Sequence, residues 1–202
     1  MNSSSIALET LGSNNRQVTG TGGGVSFGGG ITNTAGGAAS TLSMAGPQSS
    51  TFTGTINGNL KLMKAGSGVL TIDGYRASTP DSGSNTFTGG TNIYGVGTTG
   101  GLLIDNAPFA FGGANGSTPG DVNLYAGPLD FRYSGNATTF ALSGTNGQQY
   151  NNLVVRYGAD GTNGVTLNVK GPGLINVNQS VGAIGQGNIM QVGALNMSNA
   201  TL

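Results

Sequence analysis

Residues 60–74 read LKLMKAGSGVLTIDG. Leu60 and Leu62 alternate with polar or flexible neighbours, then Gly66-Ser67-Gly68 breaks the run, and Leu70 and Ile72 alternate again. An apolar residue at every second position is the period of a β-strand with one buried face. Glycine reaches positive φ without steric cost, so the Gly-Ser-Gly break reads as a turn. From Leu60 and Leu62 to Leu70 and Ile72 is a step of ten residues.

The same shape recurs outward in both directions. Alternation appears in TNIYG (Ile93), GLLIDN (Leu102, Ile104), DVNLYAG (Val122, Leu124) and PLDFRY (Leu129, Phe131, Tyr133). It continues in GVTLNVKG (Val165, Leu167, Val169), LINVNQ (Ile175, Val177), IMQVG (Met190, Val192) and ALNMS (Leu195, Met197). Each run is short and is closed by Gly, Asn, Asp or Pro, the residues that turns favour. A helical period is nearly absent. Residues 4–12, SSIALETLG, offer a couple of turns at most, and Ile6 and Leu8 alternate there as well as in any strand.

Composition agrees. The 202 residues include 40 glycines and only 7% charged residues, against roughly 25% in a typical soluble domain. Hydrophobic residues make up 36%, and seven basic residues balance seven acidic ones. Disordered chains combine low hydrophobicity with high net charge, so this chain is expected to fold. It covers its outside with Thr, Ser, Asn and Gly. Nucleic acid is excluded as a partner because no basic patch exists; the longest approach to one is Lys61 with Lys64. No apolar run is long enough for a spanning helix, and no membrane insertion by this segment is expected. With no Cys and no His, disulfides, thiolate metal sites, the usual zinc sites and His-based triads are not available. The N-terminus lacks a basic n-region and an apolar h-region, and the pattern stops in mid-course at MSNATL; the reading is a fragment or module of a longer protein.

Many short strands suggest a sandwich, a barrel or a solenoid. The close spacing, the uncharged outward residues and the internal self-similarity favour a β-solenoid. At about 20 residues per coil, the chain predicts roughly ten short coils in one all-β domain over residues 1–202. The Gly-rich stretches GTGGGVSFGGG (20–30) and NTAGGAAS (33–40) are read as sharp turns between coils.

The segment around the opening stretch resembles the autotransporter-associated β-strand repeat. That repeat has a Leu-x-Lys-x-Gly-x-Gly-x-Leu-x-Leu-x-Gly half, matched here by Leu62, Lys64, Gly66, Gly68, Leu70, Ile72 and Gly74. An Asn-Thr-Tyr/Phe-Thr-Gly-Gly-Thr run follows, matched by Asn85, Thr86, Phe87, Thr88, Gly89, Gly90 and Thr91. Its Gly-x-Leu strand is matched by Gly101, Leu102 and Leu103. The match covers about residues 51–131, with residues 75–83 as an insertion. The resemblance implies a right-handed parallel β-helix in a bacterial cell-surface or secreted protein, such as an autotransporter passenger stalk, an adhesin shaft or an extracellular fibre. It implies no catalytic residue. The implied partners are neighbouring repeats or copies of the chain meeting at open β-helix ends; no cofactor and no metal are expected. In the matched run, Asn85 and Thr86 start a turn, Phe87 enters the core, and Gly89-Gly90 bend the chain into a strand led by Thr91 and Ile93.

Few residues offer chemistry. Residues 95–100, GVGTTG, satisfy G-x-G-x-x-G but lead into another strand, so no helix N-terminus awaits a pyrophosphate. Asp73 and Asp105 occupy equivalent places after aliphatic pairs and, with Arg76, form the candidate carboxylate site of a polysaccharide-degrading β-helix. The plainer reading is Asp in a turn. Asp160 and Asn163 in the loop 157–165 are candidates for calcium, against an ordinary turn. Tyr75, Tyr94, Tyr125, Tyr133, Tyr150 and Tyr157 are the aromatics available to stack on surface glycans. The expected function is therefore a non-catalytic structural module, with a polysaccharide-binding or polysaccharide-degrading passenger as the alternative.

Overall fold

The computed structural model describes residues 16–19, 26–28, 30–34, 36–73, 85–98, 100–105, 109–113, 117–133, 154–156, 165–179 and 189–198. All regular structure among them is β. The chain opens with β1 (Arg16–Thr19), β2 (Ser26–Phe27) and β3 (Ile31–Asn33), and then begins again with β4 (Ser40–Ala45), β5 (Ser50–Phe52) and β6 (Ile56–Gly58). There follow β7 (Leu60–Gly66) and β8 (Leu70–Asp73), then β9 (Thr91–Gly95) and β10 (Leu102–Asp105). The long β11 (Val122–Tyr133) precedes β12 (Val154–Arg156), and β13 (Thr166–Val169), β14 (Gly173–Gln179), β15 (Ile189–Gln191) and β16 (Ala194–Met197) complete the order.

Every pairing among the described residues is parallel, and each strand pairs with its counterpart one circuit away. A first face runs β1-β4-β7-β9-β11-β13-β16, and a second runs β2-β5-β8-β10-β11-β14. Because β11 belongs to both, the two faces form one curled, open, 12-stranded sheet. The pairs β3-β6 and β12-β15 lie apart from it. The chain is thus all-β among the described residues, parallel and solenoid-like.

Three sequence expectations need correction. The first face gathers seven strands among the described residues, not about ten coils of some 20 residues. Successive register steps are 26 (Arg16 to Leu42), 20 (Leu42 to Leu62), 29 (Leu62 to Thr91), 31 (Thr91 to Val122), 45 (Val122 to Leu167) and 28 (Leu167 to Leu195). Only the circuit from β4 to β7 has the expected length; the others absorb extra residues in their connections, which loops tolerate at little entropic cost. Second, residues 122–133 form one unbroken strand rather than two runs. Gly127, at φ +80°, stands at the corner where the pairing passes from β9 and β13 to β10 and β14, just after a register irregularity at Leu124–Ala126. Third, residues 20–30 are not only a turn, since Ser26–Phe27 pair with Thr51 and Phe52.

Alternation places the core. On the first face, one inward row is Leu42, Leu62, Thr91, Val122 and Leu167, and the next is Met44, Lys64, Ile93, Leu124 and Val169; all are buried. On the second face, Leu70, Leu102 and Leu129 form one row and Phe52, Ile72, Ile104 and Phe131 another. Phe111 meets Phe131 edge-on, with ring centroids 6.1 Å apart. A fully buried aliphatic or aromatic side chain stabilises the fold by about 1.5–3 kcal/mol, and these rows supply most of the cohesion that the scarce charges do not.

The corner between β7 and β8 shows why glycine is needed. Gly66 has φ +78°, and a Cβ added there would lie 2.6 Å from the backbone N and O of Gly46 in the preceding circuit. The Gly68 N–H donates to the Gly46 carbonyl at 3.0 Å. The corner is a close approach of two backbones with no room for a side chain.

Candidate functional site

The repeat-like motif, not a pocket of reactive groups, is where the singled-out residues gather. Its first half supplies the strand β7, the corner at Gly66 and Gly68, and the strand β8. Leu62, Leu70 and Ile72 are buried, as expected for inward positions. Gly74 and the insertion 75–83 lie outside the described residues.

The second half lies alongside β6. The N–H groups of Thr86 and Thr88 donate to the carbonyls of Ile56 and Gly58 at 3.0 and 3.2 Å, and Gly89 N–H donates to Leu60 at 2.8 Å. Phe87 is fully buried, and Gly90, at φ +82°, delivers the chain into β9 at Thr91. At Gly90 an added Cβ would meet the Asp121 carbonyl oxygen at 2.6 Å. Phe87 thus enters the core and the Gly89-Gly90 bend leads into β9, whereas Asn85 and Thr86 run alongside β6 and start no turn among the described residues. Gly101 and Leu102 are buried at the start of β10, and Leu103, the next residue, is half-buried.

Two polar residues of the motif have roles that sequence reading missed. Asn85 is fully buried: its Oδ1 accepts from the Ile56 N–H at 2.7 Å, and its Nδ2 donates to the Ala110 carbonyl at 3.5 Å. It ties the circuits before and after it together. Lys64 is not part of a basic surface. It occupies an inward row between Met44 and Ile93, only 3% exposed, while Lys61 is half-buried on the opposite side of the strand. Its Nζ donates to the carbonyls of Ala65 and Gly66 at 2.5 and 3.1 Å. Burial lowers its pKa from 10.5 to about 8. The available signal was Lys64's place in the alternation begun by Leu60 and Leu62. Beside it in the core, the Thr91 hydroxyl is buried without a hydrogen-bond partner among the described residues.

The outward positions form ladders, as the abundance of uncharged polar residues suggests. Asn123 donates to Asn92 at 3.0 Å, Asn168 to Asn123 at 3.2 Å, and Asn196 to Asn168 at 2.9 Å. These four residues share one register position on β9, β11, β13 and β16. On the second face Asn176 donates to Asp130, and alongside β6 Thr86 donates to Asn57 at 2.9 Å. Tyr94 and Tyr125 stack with centroids 4.4 Å apart and planes 8° off parallel, and Lys170 Nζ stands 5.5 Å from the Tyr125 centroid. Partial desolvation, then the hydrogen bond to Tyr125, raises the Tyr94 pKa.

The carboxylate candidates divide. Asp73 and Asp105 are register partners on β8 and β10, so the fold brings these two backbone positions together. The next register position holds Arg132. Its Nη2 is 3.9 Å from Asp130 Oδ2 on the same strand, a partly exposed pair of small energetic weight. Arg76 and the Asp105 side chain lie outside the described residues. Among the described residues no three acidic side chains form a metal-binding group. Asp160, Asn163, Tyr75, Tyr150 and Tyr157 fall outside them, as does the Tyr133 side chain. In the glycine motif, Gly95 ends β9, Gly97 turns at φ +66° and Gly100 stands shortly before β10, so a strand and not a helix follows. Its glycines serve a tight backbone corner.

No family model matches the chain, and no curated protein or solved structure matches it.

Proposed function

We propose that the chain is a non-catalytic structural module: a right-handed parallel β-helix from a bacterial cell-surface or secreted protein, serving as part of a stalk, adhesin shaft or fibre. The observation that supports this most is the asparagine ladder Asn92–Asn123–Asn168–Asn196. Residues 28 to 45 apart in sequence are held in one register by side-chain amides, with buried apolar rows behind them. Such an arrangement makes length and rigidity, the properties a shaft needs. The right hand follows the strong preference of parallel strand crossovers. The resemblance of residues 51–131 to the autotransporter-associated repeat is the support for proposing a surface location and a stalk role.

A second reading, a polysaccharide-binding or polysaccharide-degrading passenger, draws on the Asp73–Asp105 register and on the stacked Tyr94 and Tyr125. One experiment separates the two. The purified chain is imaged by electron microscopy and incubated with a panel of acidic and neutral polysaccharides. Rods or end-to-end filaments without depolymerisation support the structural reading. Polysaccharide cleavage that Asp73→Asn and Asp105→Asn abolish would replace it with the enzymatic one.

A further inference from the structure

The first face ends on β16 among the described residues, and there the core pattern continues without a cover. Leu195 and Met197 are register partners of Leu167 and Val169, which are buried. Yet Leu195 is 50% exposed and Met197 47%. Between them Asn196 donates to Asn168, while its own Oδ1 receives no donor among the described residues. The second face ends in the same way. Val177 is the register partner of the buried Phe131 and is 57% exposed. The edge thus presents three things together: an uncovered apolar step, the open acceptor of an amide ladder, and a strand edge without a described neighbour.

The preceding strands specify what fits such an edge. Val122-Asn123-Leu124 lies on Thr91-Asn92-Ile93, Leu167-Asn168-Val169 lies on Val122-Asn123-Leu124, and Leu195-Asn196-Met197 lies on Leu167-Asn168-Val169. Each contact uses parallel backbone pairing, two inward side chains and one amide-to-amide bond. We propose that the β16 edge is a docking site for an extended segment carrying apolar–Asn–apolar in parallel register. Its two apolar side chains cover Leu195 and Met197, and its Asn donates to Asn196 Oδ1. This names the partner chemistry of the stacking module proposed above and rests on that reading. Continuity decides the occupant: a fourth contact of a kind already made three times needs no new recognition chemistry. An uncovered edge of this type is also what natural sheets avoid leaving bare.

The test uses the full chain and a labelled peptide with its own residues 122–130, VNLYAGPLD. Fluorescence anisotropy is expected to show saturable binding, and hydrogen exchange is expected to slow at the amides of 194–197. Leu124→Asp in the peptide, or Met197→Asp in the chain, is expected to weaken binding at least about tenfold, and Asn196→Ala about fivefold. Met197 is half-exposed, so its variant is expected to keep the wild-type circular dichroism and melting temperature. No binding at about millimolar peptide overturns the proposal. So does binding that Met197→Asp and Asn196→Ala leave unchanged. Self-association abolished by Met197→Asp, without peptide uptake, overturns it in favour of a second copy docking through other chemistry. Polysaccharide cleavage by the same preparation sinks the structural-module reading itself, whether or not the peptide docks.

Discussion

The Asn123 side-chain amide donates to the Asn92 carbonyl oxygen at 3.0 Å, joining residues 31 apart in sequence at one register position. Asn123 also accepts from Asn168 at 3.2 Å, so it is an interior rung. A parallel strand slipped by one residue would turn its core side chains outward, and an amide ladder adds a penalty for any slip.

Asn123→Ala is therefore expected to remove two partly buried hydrogen bonds and cost about 1–2 kcal/mol of unfolding free energy. Asn123→Asp is expected to cost more at pH 7 than at pH 4. The new carboxylate cannot donate to Asn92, and Asp121, whose Oδ2 accepts from Asn168 at 3.3 Å, lies close by. Denaturant titrations at both pH values check this. Equal losses for the Asp variant at pH 4 and pH 7 would contradict it.

Lys64 gives the fold a defined pH dependence. Its folded pKa of about 8 lies below the unfolded value of 10.5 because burial disfavours the charged form. Below pH 8 both states are protonated and the folded state bears the full penalty. Between about 8 and 10.5 the unfolded chain binds more protons, so stability rises with pH. The rise amounts to at most about 3 kcal/mol from this group. Lys64→Met keeps the length and removes the charge. It is expected to match or exceed the wild-type melting temperature at pH 7 and to abolish the rise between pH 8 and 9.5. A variant that retains the wild-type pH slope would show that Lys64 is not its source.

Asn85 is the polar group whose loss costs most. It satisfies the Ile56 N–H at 2.7 Å from a fully buried position. Asn85→Ala strands that donor and opens a small cavity, with an expected loss of about 2–4 kcal/mol. Asn85→Asp keeps the acceptor for Ile56 but buries a charge and loses the donor to Ala110, so it is expected to be tolerated better at low pH. Chemical unfolding of the three proteins tests the order.

Thr91 points the other way. Its hydroxyl is buried beside Leu62 and Val122 with no partner among the described residues, while its N–H donates to the Asp121 carbonyl at 2.9 Å. Thr91→Val keeps the shape and the backbone bond and removes an unsatisfied polar atom. The expected result is a gain of up to about 1 kcal/mol, and Thr91→Ser is expected to lose about 1 kcal/mol. A Val variant less stable than wild type would mean that the hydroxyl has a partner.

Much of this was legible in the chain itself. Strand pattern and turn glycines follow from local chemistry: alternation at Leu60, Leu62, Leu70 and Ile72 needs a sheet with one buried side, and Gly66 and Gly90 occupy backbone conformations that a Cβ would strain. Phe87 as a core residue was equally readable. Tertiary structure decided which strands pair, because register steps from 20 to 45 residues depend on how much chain each connection absorbs. It decided that Lys64 and Asn85 are interior: Asn85 is satisfied by Ile56 and Ala110 of other circuits, whereas Lys64 bonds the carbonyls of its own strand and lies in a row between Met44 and Ile93 of neighbouring circuits. It also decided that Asp73 and Asp105 are neighbours, and that Val177, Leu195 and Met197 stay exposed. Alternation says which side of a strand a residue takes. What covers that side is set by a circuit far away in sequence.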